Sequence, residues 1–254
     1  MPQFDSAGSL TVIATRNPGA GALDPANGGP DPADGRPDHG VADAEDRVAA
    51  EVLAALDGEQ VHFTGRRPGK EIDQLLSGRI LVIGDDADLA AVATRLQRRE
   101  LLAAVEVAYA PVSRTPVAQL WSLPVGARSV PLARRGDPDL VPLLRDDKGG
   151  VLVGEATIGP VRGSVYIDEY RVLNGPARGL IIQPDAAKGL SVTVVYRRVL
   201  MFGRRPISQQ GRALEINVAP TRLIADGRER ETPVDRWNYY KHTEPMRLVR
   251  GVVD

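Results

Sequence analysis

The densest group of chemically capable residues is the acidic turn in "VIGDDADLAAV", residues 82–92. A buried strand that ends in glycine and opens a helix is a common phosphate site, because N–H groups at the turn and helix start point at the anion. Here Asp85, Asp86 and Asp88 stand where further glycines would favour a phosphate. Three carboxylates so close together suit a hard cation, which takes oxygen ligands. Asp86 and Asp88 equally suit capping of the helix that runs through Leu89. A second acidic candidate is Asp226 in "ADG", where Asp-Gly is also a strong turn signal. Ser113, Arg114 and Thr115 offer two hydroxyls and a guanidinium between a strand and a helix, and Arg114 reads either as a phosphate ligand or as a surface residue. "GRRPGK" at 65–70 has the wrong spacing for a Walker A loop and lacks the hydroxyl after its lysine, so it reads as a loop before a helix. With no cysteine, disulfides, thiolate metal sites and thiol nucleophiles are excluded. His39, His62 and His242 lie far apart and show no metal spacing.

Positioning these residues requires a scaffold, and its periodicities are readable. "LTVIAT" (10–15), "EQVHFTG" (59–65), "RILVIGD" (79–85) and "AAVEVAYAPV" (103–112) are strand candidates rich in β-branched and apolar residues. Helical periodicity begins at about Ala44 and places Val48, Val52, Leu53 and Leu56 on one face before Asp57-Gly58 stops it. "GKEIDQLLSG" reads as a short helix and "ADLAAVATRLQRREL" as a longer one. Between the first strand and first helix, about 22–42, the chain is dense in Gly, Pro and Asp; it buries too little to offset its ordering entropy and is expected to be a flexible loop. Alternating strands and helices predict a parallel sheet covered on both faces. After Pro124, from "ARSVPLA" onwards, short apolar runs separated by turns predict a mainly antiparallel β region.

Global properties bound the function. The 254 residues can bury a substantial core, and a formal net charge of −1 gives no general pull towards nucleic acid or anionic membranes. The opening residues lack a basic start and a continuous apolar stretch, so no signal peptide is expected; no apolar run is long enough for a membrane span, and a cytoplasmic location is expected. "YRRVLMFGRRP" carries four arginines that suit either lipid headgroups or a solvated strand face. "DRWNYYKH" reads either as an aromatic loop docking a membrane or second subunit, or as core. The preference for arginine over lysine points to a GC-rich bacterial genome.

The order of these segments resembles the diacylglycerol kinase family, which includes sphingoid-base kinases and is distantly related to NAD kinases. "TVIATRNPGAG" resembles its first strand and Asn-Pro-x-x-Gly turn; "LVIGDDADLAAVATRL" falls where the family has Gly-Gly-Asp-Gly-Thr and the helix behind it. "VAYAPVSRTPVAQLWSLP" is similar to the strand, Pro-Leu-Gly-Thr-x-Asn-Asp loop and helix that follow. "VLNGPARGLIIQPDAAKGLSVTVV" resembles the segment with Pro-Asp and Asp-Gly-x-x-Asp, "GRALEINVAPTRLIADGRE" the Asp-Gly-Glu stretch, and "EPMRLVRGV" the final strand that returns to the first domain.

The resemblance implies a Rossmann-like α/β domain at 1–125, rejoined by a strand at about 245–254, followed by an antiparallel β-sandwich at 126–244. It implies a nucleotide site in the cleft between them, touching Asn17, Pro18, Gly21, Gly84, Asp86, Ser113, Arg114 and Thr115. Asp86 and Asp185 fall on Mg²⁺-associated positions, and Asp226 on the general base. The family pattern is also broken: Asp85, Ala87 and Asp88 replace two glycines and a threonine, Pro116 and Val117 stand near the Asn-Asp pair, Ser191 replaces an aspartate, and Arg228 replaces the glutamate. A carboxylate 4 Å from a phosphate charge is repelled by ~4 kcal/mol at an effective dielectric of ~20. The expectation is a diacylglycerol-kinase-like protein with eroded catalytic motifs and a nucleotide- or lipid-responsive binding role, or a structural role, without a cofactor. The alternatives are an active lipid kinase using ATP and Mg²⁺, and a homo-oligomeric interaction protein with nothing in the cleft. Peripheral membrane contact is compatible with each, and nucleic acid is not an expected partner.

Overall fold

The computed structural model describes residues 10–16, 39–196 and 205–251. Among them the strands are β1 (Thr11–Arg16), β2 (Val61–Gly65), β3 (Arg79–Gly84), β4 (Glu106–Pro111), β5 (Pro138–Val141), β6 (Leu144–Asp146), β7 (Val151–Leu152), β8 (Ala156–Gly159) and β9 (Val161–Ile167). They continue as β10 (Tyr170–Ala177), β11 (Gly179–Asp185), β12 (Gly189–Val195), β13 (Ile207–Gly211), β14 (Ala213–Ala225), β15 (Arg228–Glu229), β16 (Val234–Lys241) and β17 (Met246–Val249). The helices are α1 (His39–Ala55), α2 (Asp86–Arg98), α3 (Pro116–Leu120) and α4 (Ser129–Arg135).

A mixed sheet in the order β2-β1-β3-β4-β17-β5 forms one layer. Its β1–β4 pairings and the β4–β17 pairing are parallel, while β5 joins β17 antiparallel. Alternation along the strands sorts the side chains onto two faces. Ile13, Ile80, Val82 and Val107 pack with Leu89, Val92 and Leu96 of α2. Val12, Leu81, Ile83 and Ala108 pack with Val52 of α1, Leu56 just beyond its end and Val130 of α4. Both faces are therefore covered, which is why these strands read as continuous apolar runs.

The second layer is a large antiparallel sheet with a core of its own around Leu144, Ile158, Val165, Ile182, Leu214, Ile216 and Trp237. The long strand β14 organises it. A register shift between Asn217 and Thr221 lets its first half pair with β9 and β16, and its second half with β8 and β15. That shift aims the β14–β15 hairpin at the N-terminal end of α2.

Three local expectations need correction. The first helix starts at His39 rather than Ala44, because its opening turn carries few apolar residues and periodicity cannot register it. The helix expected at 69–78 is a 3₁₀ segment, Lys70–Leu75, with no side-chain N-cap at Gly69, and it is anchored by buried Ile72. "ARSVPLA" opens no strand but forms α4, with Pro131 in the first turn, where a missing N–H costs nothing. The first layer consequently uses residues beyond 126, with α4 packed on the sheet and β5 joined to its edge. The stretch expected to be a flexible loop lies largely outside the described residues, as do Asn17, Pro18, Gly21 and most of the arginine-rich segment, 197–204.

Candidate functional site

The acidic turn is built from β3, α2 and two neighbouring segments. Asp85, in extended backbone at φ −97° and ψ 179°, is the N-cap of α2. Its carboxylate accepts the Asp88 N–H at 2.9 Å, and Asp88 Oδ2 accepts the Asp85 N–H at 3.1 Å, completing a reciprocal capping box. Of the two aspartates expected as caps, only Asp88 contributes, at the third helical position, and the N-cap itself is Asp85.

Asp88 is fully buried and collects three further donors. The Thr15 hydroxyl at the end of β1 donates at 2.6 Å, the Arg67 backbone N–H at 2.6 Å, and Arg66 Nε lies at 3.1 Å. Arg66 Nη2 also pairs with Asp85. The "GRRPGK" loop thus folds onto the turn and fixes it by charge. Gly84 is required by the same packing: a Cβ there would lie 2.5 Å from Thr15 Oγ1 and also overlap the Asp88 carboxylate. Ala87 is helical and needs no left-handed backbone.

Asp86 points elsewhere. It is buried, and accepts the Tyr109 hydroxyl at 3.0 Å and the Val117 N–H at 3.0 Å, with the Thr115 hydroxyl beside it. Burial raises its pKa above the ordinary carboxylate value against these hydrogen bonds. Thr115 also N-caps α3 by accepting the Ala118 N–H, with Pro116 at the first helical position. Ser113 donates to Glu45 at 3.3 Å, and Arg114 is exposed.

Asp226 is the first residue of a two-residue hairpin turn between β14 and β15. Asp226 (φ +46°) and Gly227 (φ +76°) are both left-handed, as a type I′ turn demands. Its carboxylate accepts backbone N–H groups of Val153, Gly154 and Glu155 at 2.9, 2.8 and 3.1 Å. Burial, with a further contribution from the Asp86 charge, pushes its pKa up to about 7 despite these donors. Gly154 is pressed between the layers, with space for a Cβ closed by Val117 of α3 at 2.5 Å. Asp86, half-buried Glu155 and Asp226 therefore meet where the layers touch, and Asp86 raises the Glu155 pKa after burial does. Glu229, beyond the turn, pairs with Arg222 on the exposed side.

Asp185 is not part of this group. It caps its own turn by accepting the N–H groups of Ala187 and Lys188, and it receives Gln210. Among the described residues no three acidic or histidine side chains are placed to hold a metal ion. With Asp86 and Asp226 engaged as above, the residues present do not fit a Mg²⁺ shared by Asp86 and Asp185. Nor does the β3–α2 turn fit a triphosphate: the N–H groups of Asp85 and Asp88, the Thr15 hydroxyl and Arg66 are already turned to carboxylates.

Beside Asp226, a cavity of about 360 Å³ opens between α2 and the β14–β16 hairpins. Ala87, Ala90 and Ala91 form one wall, and the remaining lining includes Arg67, Arg228, Arg230 and Trp237 together with Asp146, Asp226 and Glu231. Trp237 is not in an aromatic loop: it lies on β16, buried with Tyr239, while Tyr240 is exposed, as strand alternation requires. The roles of Arg66, Arg67 and Arg230 were hidden in the sequence, since no local pattern ties a loop arginine to a helix start tens of residues away.

No protein-family model matches the chain, and no curated protein matches it in sequence. Among solved structures it is similar to a diacylglycerol kinase from Bacillus anthracis str. Sterne, at 12% identity and a TM-score of 0.61, over 96% of this chain and 97% of that one. It is similar to an NAD kinase from Archaeoglobus fulgidus solved with ATP, at 13% identity and a TM-score of 0.55, over 96% and 94% of the two chains. It is similar also to yeast NADH kinase complexed with NADH, at 12% identity and a TM-score of 0.51, over 96% and 84%. The chain has the fold shared by diacylglycerol kinase and NAD kinase structures.

Proposed function

We propose that this chain is a diacylglycerol-kinase-like protein that has exchanged polyphosphate binding at the β3–α2 turn for an internal carboxylate, and that it acts as a small-molecule binding protein through the cavity beside Asp226. In this reading the mixed layer is a Rossmann-like domain and the antiparallel layer a β-sandwich domain. The observation that carries it is Asp88, which sits among the donors a phosphate would need: the Thr15 hydroxyl, the Asp85 and Arg67 N–H groups and Arg66. A buried carboxylate satisfied this way repels a neighbouring phosphate and leaves it few donors.

The second reading, an active ATP-dependent lipid kinase, is favoured by one observation. A general base works best with a pKa near the operating pH, and Asp226, at about 7, borders the cavity. Thermal denaturation with ATP, ADP and NAD, each with and without Mg²⁺, separates the two, since a ligand of the folded state raises the melting temperature by mass action. The binding-protein reading expects no Mg²⁺-dependent shift at millimolar nucleotide. A Mg²⁺-dependent shift by ATP, followed by phosphoryl transfer to diacylglycerol or sphingosine that Asp226→Asn abolishes, establishes the kinase instead.

A further inference from the structure

The cavity beside Asp226 has a specific chemistry. Trp237 is 3% exposed, yet its indole N–H has no hydrogen-bond partner. That N–H is also closed off from the cavity, so it is a cost to the fold and not a contact for a ligand. The Arg230 guanidinium lies 4.5 Å from the centroid of the Trp237 ring, so cation and indole are presented together.

The cationic groups of the lining lack carboxylate partners. Arg67, Arg228 and Arg230 line the cavity, and among the described residues none of their side chains has an ion pair. Arg230 continues the β15 edge through its N–H to the Leu223 carbonyl at 2.9 Å, so Arg228 and Arg230, two residues apart, lean to the same side. The acids in the lining are Asp146, Asp226 and Glu231. Asp146 accepts the N–H groups of Lys148 and Gly150, and Asp226 accepts its three backbone donors. Glu231 is thus the one carboxylate in the lining not already turned to backbone donors, in a lining that holds three such guanidiniums.

We propose that this cavity binds a phosphate monoester, its phosphoryl group on Arg67, Arg228 and Arg230 and its organic body against Ala87, Ala90 and Ala91. A phosphoryl group has three terminal oxygens, one for each guanidinium, whereas a carboxylate has two. The volume suits a small ligand. This assignment deepens the binding-protein reading and rests on it.

Phenyl phosphate and inorganic phosphate serve as soluble probes, and phosphatidylcholine vesicles with or without phosphatidate as the lipid-borne one. Titration is followed by calorimetry and tryptophan fluorescence, with vesicle co-sedimentation in parallel. Phenyl phosphate is expected to bind at millimolar concentration or better and to change the Trp237 emission, with Trp121 as a buried second fluorophore whose N–H is held by the Val153 carbonyl. Arg228→Gln and Arg230→Gln, both at exposed positions, are each expected to weaken binding by about tenfold. Binding to phosphatidate vesicles alone, with the same arginine dependence, assigns the phosphate to a lipid headgroup. No binding to any probe, or binding indifferent to both arginine substitutions, overturns the proposal. Mg-ATP is titrated alongside: if it is also silent, only the phosphate-monoester assignment fails. If it binds in a Mg²⁺-dependent way that survives both arginine substitutions, the binding-protein reading fails.

Discussion

The Thr15 hydroxyl donates to Asp88 Oδ2 at 2.6 Å, tying the end of β1 to the first turn of α2 across the top of the mixed sheet. This is the point at which a phosphate-binding turn would have to stay open. The Asp85 and Arg67 N–H groups and Arg66 converge on the same carboxylate, so the turn is closed by its own residues.

Removing that carboxylate should be costly. Asp88→Ala takes an acceptor from two backbone N–H groups, the Thr15 hydroxyl and Arg66 Nε, of which Thr15 keeps the Ile83 carbonyl at 3.2 Å and Arg66 keeps Asp85. Truncating one partner of a buried, hydrogen-bonded charge cluster costs roughly 3–5 kcal/mol. Urea denaturation should show a loss of about this size, and Asp88→Asn, which keeps one acceptor oxygen, a smaller one.

Gly84→Ala should also destabilise, because the added Cβ meets Thr15 Oγ1 at 2.5 Å and the Asp88 carboxylate. Overpacking of this kind costs roughly 1–3 kcal/mol. The double variant Gly84→Ala with Thr15→Ala should lose less than the sum of the two single changes, which a double-mutant cycle measures.

Stability should fall as pH rises through the range set by Asp226. Its carboxyl has an ordinary value of 3.8 and is pushed up to about 7 in the folded protein. The folded state therefore holds the proton more tightly than the unfolded chain. The contribution is full below the unfolded value, is lost as pH climbs towards about 7, and is level above it, with an upper size of roughly 4 kcal/mol. Asp226→Asn should flatten this part of the profile when unfolding free energy is measured at several pH values.

Tyr109→Phe removes the donor to Asp86 Oδ1 inside the junction of β4, α2 and α3. A lost hydrogen bond to a buried charged group costs about 1–3 kcal/mol. The Val117 N–H keeps Asp86 in place, so the fold should persist with a lowered denaturation midpoint.

Much of this architecture was legible before any coordinates. The strands around Val12, Leu81 and Ala108 announce themselves because both faces of the sheet are covered, and α2 is visible from Leu89, Val92 and Leu96 at helical spacing. The position of Asp226 in a tight turn follows from Asp-Gly alone. What escaped depends on distance along the chain. Arg66 and Arg67 look like an ordinary loop, and only folding brings them to Asp85 and Asp88. The segment "ARSVPLA" is expected to open the β region, yet it forms α4, whose first turn tolerates Pro131. The segment around Trp237 leaves a docking loop and core packing equally open, because its alternation with Tyr239 is short and flanked by charge, and the core reading holds for both residues.

The central claim is that the β3–α2 turn is occupied from within by Asp88, and backbone hydrogen exchange tests it most directly. The amide protons of Arg67, Asp85 and Asp88 should be protected in the free protein and unchanged by millimolar Mg-ATP. Fast exchange at these three amides in the free protein, becoming slow when Mg-ATP is added, would contradict it.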